Sequence, residues 1–337
     1  MRSPIFFRGR ELLYYRDHYY PKDEVAAYEF MQQQLNLAVR TQDTKTRVII
    51  VPNGSYRVCG KIMADAYAKL CPEPIKRIFV FGRAEQFMPY KCGLSNTDYL
   101  DTPLGKLPID KEVNNELFKT GEFILLDPPY DSKERSIEMQ LPFIAKIMEN
   151  FTGRFKVIPV YIGVLERDQQ RTIARRFQQF LKDPGNVFIF SASLCHWGEI
   201  YGMKTQMPDK RTVIDSIKAA DNIAVEALKQ IRFKPFEEYM LDTKSKVLDY
   251  QVFNVCIWLV RQFLDEDHYA LTQMDDETAL KAMQQTATFT LVGQAWSYPD
   301  VTPSDSCISY ISATISLDKE RYVPEEPEPP DPLSKLC

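Results

Sequence analysis

Histidine is almost missing from this chain: three residues in 337. That scarcity limits metal chemistry, because a zinc or transition-metal site built on imidazole and thiolate wants two or three such ligands. Cysteine does not make up the deficit. The seven cysteines (Cys59, Cys71, Cys92, Cys195, Cys256, Cys307 and Cys337) are dispersed and form no CxxC pair, so neither a zinc ribbon nor a disulfide framework is indicated. Several sit in apolar surroundings and read as small buried hydrophobes, which points to a reducing compartment, the cytoplasm with the nucleus as a second location. There is no GxGxxG loop for a dinucleotide and no GxSxG elbow for a hydrolase. No apolar run reaches the roughly 18 to 20 residues needed to cross a membrane. The opening MRSPIFFRGRELLYYRDHYY lacks the apolar core of a signal peptide. A net charge of -4 with scattered Lys and Arg leaves no basic footprint for nucleic acid.

What is present is alternation of short apolar runs with helical periodicity. RVIIVP (47–52) and RIFVFG (77–82) read as strands, and between them Ile62, Ala66 and Leu70 recur at helical spacing. This predicts a β-α-β unit with a parallel strand pair. SIEMQLPFIAKIMENF predicts a helix with Pro142 near its first turns, followed by the strand FKVIPVYIG. ERDQQRTIARRFQQFL predicts an amphipathic helix, DPGN a turn and VFIFSAS another strand. Val213, Ile217, Ala220, Ala224, Leu228 and Ile231 form one stripe, and VFNVCIWLVRQFL predicts a buried helix. TATFTLVGQAWSY and SCISYISATISL alternate as antiparallel strands do. The expected fold is therefore α/β, a single domain over residues 1–317 with a central mixed sheet flanked by helices. From residue 318 the chain turns acidic and proline-rich, ending in SKLC, and residues 318–337 read as a disordered tail. No internal repeat is visible.

Ligands of α/β sheets gather beyond the carboxyl ends of the strands. The segments there are NGSY (53–56), RAEQ (83–86) and SLCHWG (193–198). A three-histidine site would have to draw His18 and His268 to His196 from distant segments. A Cys195–His196 nucleophile pair is poorly placed, because neighbours on a strand point to opposite faces. Oxygen donors from Asn53, Glu85, Ser193 and Asp249 would suit a hard divalent cation such as Mg²⁺ or Ca²⁺.

The blocks RVIIVPNGSYRVCGKIMADAY, RIFVFG…KCGLS, ERSIEMQLPFIAKIME, VIPVYIGVL, DPGNVFIFSASLCHWG and SDSCISYISA together resemble the Memo family, over about residues 10 to 317. The resemblance implies a fold like that of class III extradiol dioxygenases. It also implies a role in cell motility downstream of receptor tyrosine kinases, with phosphotyrosine-peptide binding and, in some members, bound metal and redox activity. The departures fall on the metal pocket. Family PHAGY is PNGSY here, which puts Asn53 where a histidine stands, and GPSHH is GRAEQ, which puts Glu85 and Gln86 at two more. SSDFCHWG becomes SASLCHWG, with Ser193 for the aspartate and His196 kept. Asp249 falls at the cysteine of CGRHP, and Arg135 and Gln140 replace the histidines of EHSIEMHLP, while Glu138 stays.

The reading is a non-catalytic adaptor or scaffold, a pseudoenzyme without a cofactor, whose pocket (Asn53, Glu85, Ser193, His196, Asp249) or its surroundings binds a protein or peptide partner in motility or cytoskeletal signalling. Arg83 and Arg135 beside the pocket would receive an anionic group such as phosphotyrosine, because a guanidinium fork matches phosphate. Pairing of each arginine with a carboxylate such as Glu85 or Glu134 is the other reading. Two alternatives stay open: an iron- or copper-dependent oxidoreductase with a rewired pocket, and a structural subunit that dimerises with an intact relative; a homo- or hetero-oligomer is among the expected partners.

Overall fold

The computed structural model describes residues 19–318 except 22, 87, 204–206, 208 and 265–285. His18, His268 and tail residues 319–337 lie outside the described residues.

Helix α1 (Glu24–Leu37) opens on Asp23, whose carboxylate accepts the Ala26 N–H. The apolar run after it is strand β1 (Thr46–Val51), then α2 (Tyr56–Tyr67) and β2 (Arg77–Arg83). Shorter pieces follow: β3 (Cys92–Ser95), β4 (Tyr99–Thr102), β5 (Gly105–Pro108), α3 (Lys111–Lys119) and β6 (Phe123–Leu126). Next come α4 (Pro128–Asp131), α5 (Arg135–Glu138) and α6 (Leu141–Ile147). β7 (Lys156–Ile162), α7 (Arg167–Lys182), β8 (Asn186–Ser191) and β9 (His196–Trp197) lead to α8 (Val213–Lys229) and α9 (Phe233–Thr243). The described chain closes with α10 (Tyr250–Leu264), β10 (Ala287–Trp296) and β11 (Cys307–Leu317).

The main sheet runs β10-β11-β1-β8-β2-β7-β3-β6, with β9 paired to β11 off that path. Its middle is parallel (β1 with β8, β8 with β2, β2 with β7); β10–β11, β11–β1 and β7–β3 are antiparallel, and the outer pair β3–β6 is parallel again. Period-two alternation divides the middle strands between two cores. Val48, Ile50, Phe79, Phe81, Phe188 and Phe190 face the layer of α3, α7, α8, α9 and α10. Ile49, Val51, Ile78, Val80, Val187 and Ile189 face α1, α2, α6 and the β4–β5 hairpin. This is the expected α/β domain, a mixed central sheet with helices on both faces. Burial on both faces is also why these strands read as unbroken apolar runs.

The structure corrects several local expectations. β1 and β2 are parallel but not neighbours, because β8 lies between them. Leu70 falls past the end of α2, although it is buried. The single helix expected around Pro142 is two, α5 and α6. They break at Gln140, where Pro142 enters at a first-turn position that needs no N–H donor. The amphipathic helix over 167–182 forms as expected, capped by a reciprocal Glu166–Gln169 box. Among the described residues no helix is long and apolar enough to cross a membrane.

The centre of the α7-side core is an aromatic stack. Phe79 lies on Phe188 with ring centroids 4.8 Å apart, Phe81 on Phe190 at 4.6 Å, and Phe177 of α7 meets the Phe81 ring edge-on at 4.8 Å. Removing a ring there leaves a cavity that closed strands cannot collapse. Phe79→Ala is expected to cost about 3–5 kcal/mol, read as a lower denaturant midpoint with an unchanged m-value.

Candidate functional site

The carboxyl ends of β1, β2 and β8 sit side by side, and the residues just beyond them meet the residue that precedes α10. That residue is Asp249, only 3% exposed. Its Oδ2 accepts a hydrogen bond from Asn53 Nδ2 at 3.1 Å and from the Ser193 backbone N–H at 2.8 Å. Its Oδ1 accepts from Arg83 Nε at 2.9 Å. Ser193 Oγ then donates to Asn53 Oδ1 at 2.6 Å, which fixes the amide with its nitrogen toward the carboxylate. A buried carboxylate is tolerable only with such pairing and bonding.

His196 stands beside this network. Its Nδ1 lies 3.1 Å from the Leu194 carbonyl oxygen, so that nitrogen carries the proton. The ring meets Tyr201 edge-on at 5.1 Å. Burial, helped by the positive charge of Arg83, holds the imidazole below its usual pKa despite the opposing pull of Asp249, so the ring is neutral at neutral pH. Cys195, its neighbour, points elsewhere, with its thiol 3.6 Å from Met203 Sδ in a separate apolar cluster. Burial pushes that thiol far above its ordinary range, and it is no thiolate nucleophile.

Glu85 belongs to a second group. It pairs with Arg135 at 3.2 Å, and Arg135 Nη1 donates to Tyr19 Oη at 3.0 Å. Burial would lower the Arg135 pKa, but Glu85, Tyr19 and Asp249 together raise it. The loop that carries Glu85 is held from beneath by Glu134. That carboxylate accepts the Glu85 N–H at 2.7 Å and the Gln86 N–H at 3.4 Å. Burial pushes Glu134 up to about 7. Gln140 donates to Pro52 O and Ser191 Oγ, both at 2.9 Å, and accepts from Tyr67 at 3.0 Å, so it ties the ends of β1 and β8 to α2. Glu138 accepts from Tyr20 at 2.8 Å.

Of the residues singled out in the sequence, Asn53, Ser193, Asp249 and Arg83 thus share one hydrogen-bonded network, with His196 alongside. Glu85 and Arg135 form an adjacent pair. Arg83 takes Asp249, which sequence proximity to Glu85 and Glu134 did not suggest. Tyr19, Tyr201 and the clamping role of Glu134 were missed, and the tyrosine-rich stretch before α1 was the one available signal for the first. The donor set does not suit iron or copper. It offers one imidazole, with its Nδ1–H committed to a carbonyl, and a carboxylate whose oxygens already accept three N–H groups. Among the described residues, no group of three or more His, Cys, Asp and Glu side chains is placed to hold a metal ion.

Comparison with known proteins places these features in context. The family described as "Memo-like protein" matches residues 17–295. Human Protein MEMO1 is 34% identical over 203 residues, covering 60% of this chain and 68% of the human protein. The Caenorhabditis elegans Protein memo-1 homolog is 31% identical over 204 residues, covering 60% of this chain and 57% of its own. A crystal structure of an uncharacterized Escherichia coli K12 protein is similar with a TM-score of 0.44 at 10% identity, covering 80% of this chain and 99% of the other.

Two outcomes follow from the site's electrostatics. Asp249→Ala leaves buried donors of Asn53, Ser193 and Arg83 unmatched and is expected to cost on the order of 3 kcal/mol. Arg83→Ala, whose side chain is 32% exposed, should cost less, and chemical denaturation of both variants checks the order. Glu134 binds its proton more tightly folded, at about 7 against an ordinary 4.5. Its contribution is therefore fully present below pH 4.5 and is lost as pH rises toward 7. The depressed His196 acts in the opposite sense, so the difference between wild type and Glu134→Gln isolates Glu134. Across that window the wild type should lose stability relative to the variant.

Proposed function

The chain belongs to the Memo-like protein family, and on that premise we propose that it is a non-catalytic member, an adaptor that binds a protein or peptide partner at the carboxyl end of the sheet. The observation that carries this reading is the internal saturation of Asp249. Where a working metal pocket keeps ligand lone pairs pointed at an ion, this carboxylate spends them on Arg83, Asn53 and Ser193. The same arrangement leaves chemistry for recognition. Arg83 meets Asp249 through Nε, and its terminal nitrogens have no hydrogen bond or ion pair among the described residues. Arg135 lies close by, 27% exposed at its side chain, under the Tyr19 ring. Two guanidinium groups beside Tyr19 and Tyr201 support an anionic, aromatic ligand such as a phosphotyrosine side chain. A place in motility or cytoskeletal signalling within the cytoplasm is part of the same proposal. The described cysteines are all free, which suits a reducing compartment.

Calorimetric titration with one peptide in tyrosine-phosphorylated and unphosphorylated forms tests the recognition. The phosphorylated form should bind at least about tenfold tighter, and Arg83→Ala or Arg135→Ala should remove that preference. Equal affinity for the two forms would sink the phosphate reading. Metal analysis after gentle purification tests the non-catalytic reading. Stoichiometric iron or copper that Glu85→Ala and His196→Ala abolish would replace it with a rewired oxidoreductase.

A further inference from the structure

One edge of the main sheet differs from everything else in it. β10 is ten residues long and occupies the outermost position, with β11 on one side and, among the described residues, no strand on the other. Its sequence, ATFTLVGQAW, contains no charged residue and no proline. Natural sheets protect such edges with Lys, Pro, inward charges or shortness. Here the only device of that kind is a bulge between Leu291 and Gly293. β1 and β8 are buried throughout and β2 and β7 apart from end residues, whereas Phe289, Leu291, Val292, Gln294, Ala295 and Trp296 are each partly exposed and Thr290 is exposed.

Register decides which main-chain groups look outward. Thr286 O accepts the Asp318 N–H at 2.7 Å, so Thr288 and Thr290, opposite Ser316 and Thr314, also turn their backbone groups to β11. Phe289 and Leu291 then turn theirs outward. Past the bulge, the Ser297 N–H donates to Ile308 O at 2.9 Å, so Gly293 and Ala295 face β11 while Gln294 and Trp296 face out. Gln294 adds a buried side-chain Nε2 without a hydrogen-bond partner.

The strand is also held rigidly from both faces. Ile62 of α2 packs so closely beneath Gly293 that a Cβ there would lie 2.6 Å from its Cγ2. From the other face, Asp221 of α8 accepts the Trp296 indole N–H at 2.9 Å. A fixed strand with unspent donors and acceptors has already met the ordering cost of pairing.

We propose that the outward edge of β10, which pairs with no strand among the described residues, pairs antiparallel with β10 of a second copy of this chain and so joins the two sheets across a two-fold axis. A strand without charge can approach itself without like-charge repulsion, and antiparallel self-pairing is the isologous arrangement that a two-fold dimer requires. Each outward N–H of Phe289, Leu291, Gln294 and Trp296 gains an acceptor in that pairing.

The full chain is tested by sedimentation from about 1 to 100 µM, together with residue-resolved hydrogen exchange. A concentration-dependent dimer is expected, with exchange of the outward amides of Phe289, Leu291 and Gln294 slowing as the dimer fills. Thr290→Lys, at an exposed position near its own copy, should weaken dimerisation at least about tenfold, while Thr290→Ser keeps it. A monomer across the whole range would overturn the proposal. So would a dimer indifferent to Thr290→Lys with unprotected β10 amides.

Discussion

A single buried carboxylate organises the carboxyl end of this sheet. Asp249 lies where three strands end and a helix begins, in a place where an unpaired charge would be costly. It is bonded by Asn53 after β1, by Arg83 at the end of β2 and by the Ser193 backbone after β8. Those segments are far apart in the chain, so the carboxylate acts as the knot that sets the relative positions of the strand ends and the α10 entrance. The knot extends outward. Ser136 donates to Arg83 O at 2.9 Å, Ser191 donates to Ser136 O, and Gln140 bridges Pro52 and Ser191. Segment 134–140 is thereby fastened to the same strand ends, and Glu134 at its start holds the loop after β2.

The residues around the pocket make sense as a set. A carboxylate at 249 without Arg83 would be a buried charge with only neutral donors. Arg83 without Asp249 would bring a guanidinium to the pocket with no internal partner. Glu85 and Arg135 repeat the pattern a few residues away. Around the pocket this chain has paired opposite charges and amides, which satisfy one another directly. Neutral His196 stays because its roles here, an Nδ1–H for Leu194 and a ring face for Tyr201, need no ion.

The fold was legible in the sequence wherever periodicity was strong and burial one-sided or complete. The runs read as strands over 47–52, 77–82 and 187–193 form β1, β2 and β8, and the stripes read over 166–181 and 213–231 form α7 and α8, with Ile231 just past the end of α8. The order of strands was not legible, because β8 enters between β1 and β2 from a hundred residues downstream, and local pattern carries no such information. The break at Gln140 was legible only in part. Pro142, which has no N–H to continue the ladder, marks it locally, whereas the bonds of the Gln140 side chain to Pro52 and Ser191 are tertiary and leave no local signal. β3 to β6 are too short for a pattern of period two to declare itself. At the site, motif alignment found Asn53, Ser193 and Asp249 as positions. It could not find that Arg83 would choose Asp249 over the nearer Glu85 and Glu134, since that choice rests on which carboxylate the fold buries without other strong donors. Glu134 already holds two backbone N–H groups, and Glu85 has Arg135.

The pocket and the β10 edge differ in where their polar groups find partners. At the pocket the buried polar groups bond one another, Asp249 with Arg83, Asn53 and Ser193, and Gln140 with Pro52 and Ser191. At the β10 edge the reverse holds. The side chains are apolar or neutral, and the outward main-chain groups meet no strand among the described residues. Backbone demand of this kind is indifferent to side-chain chemistry and can be met only by another extended chain. The pocket thus resolves its polarity between side chains, whereas along β10 the polarity that faces outward is that of the main chain.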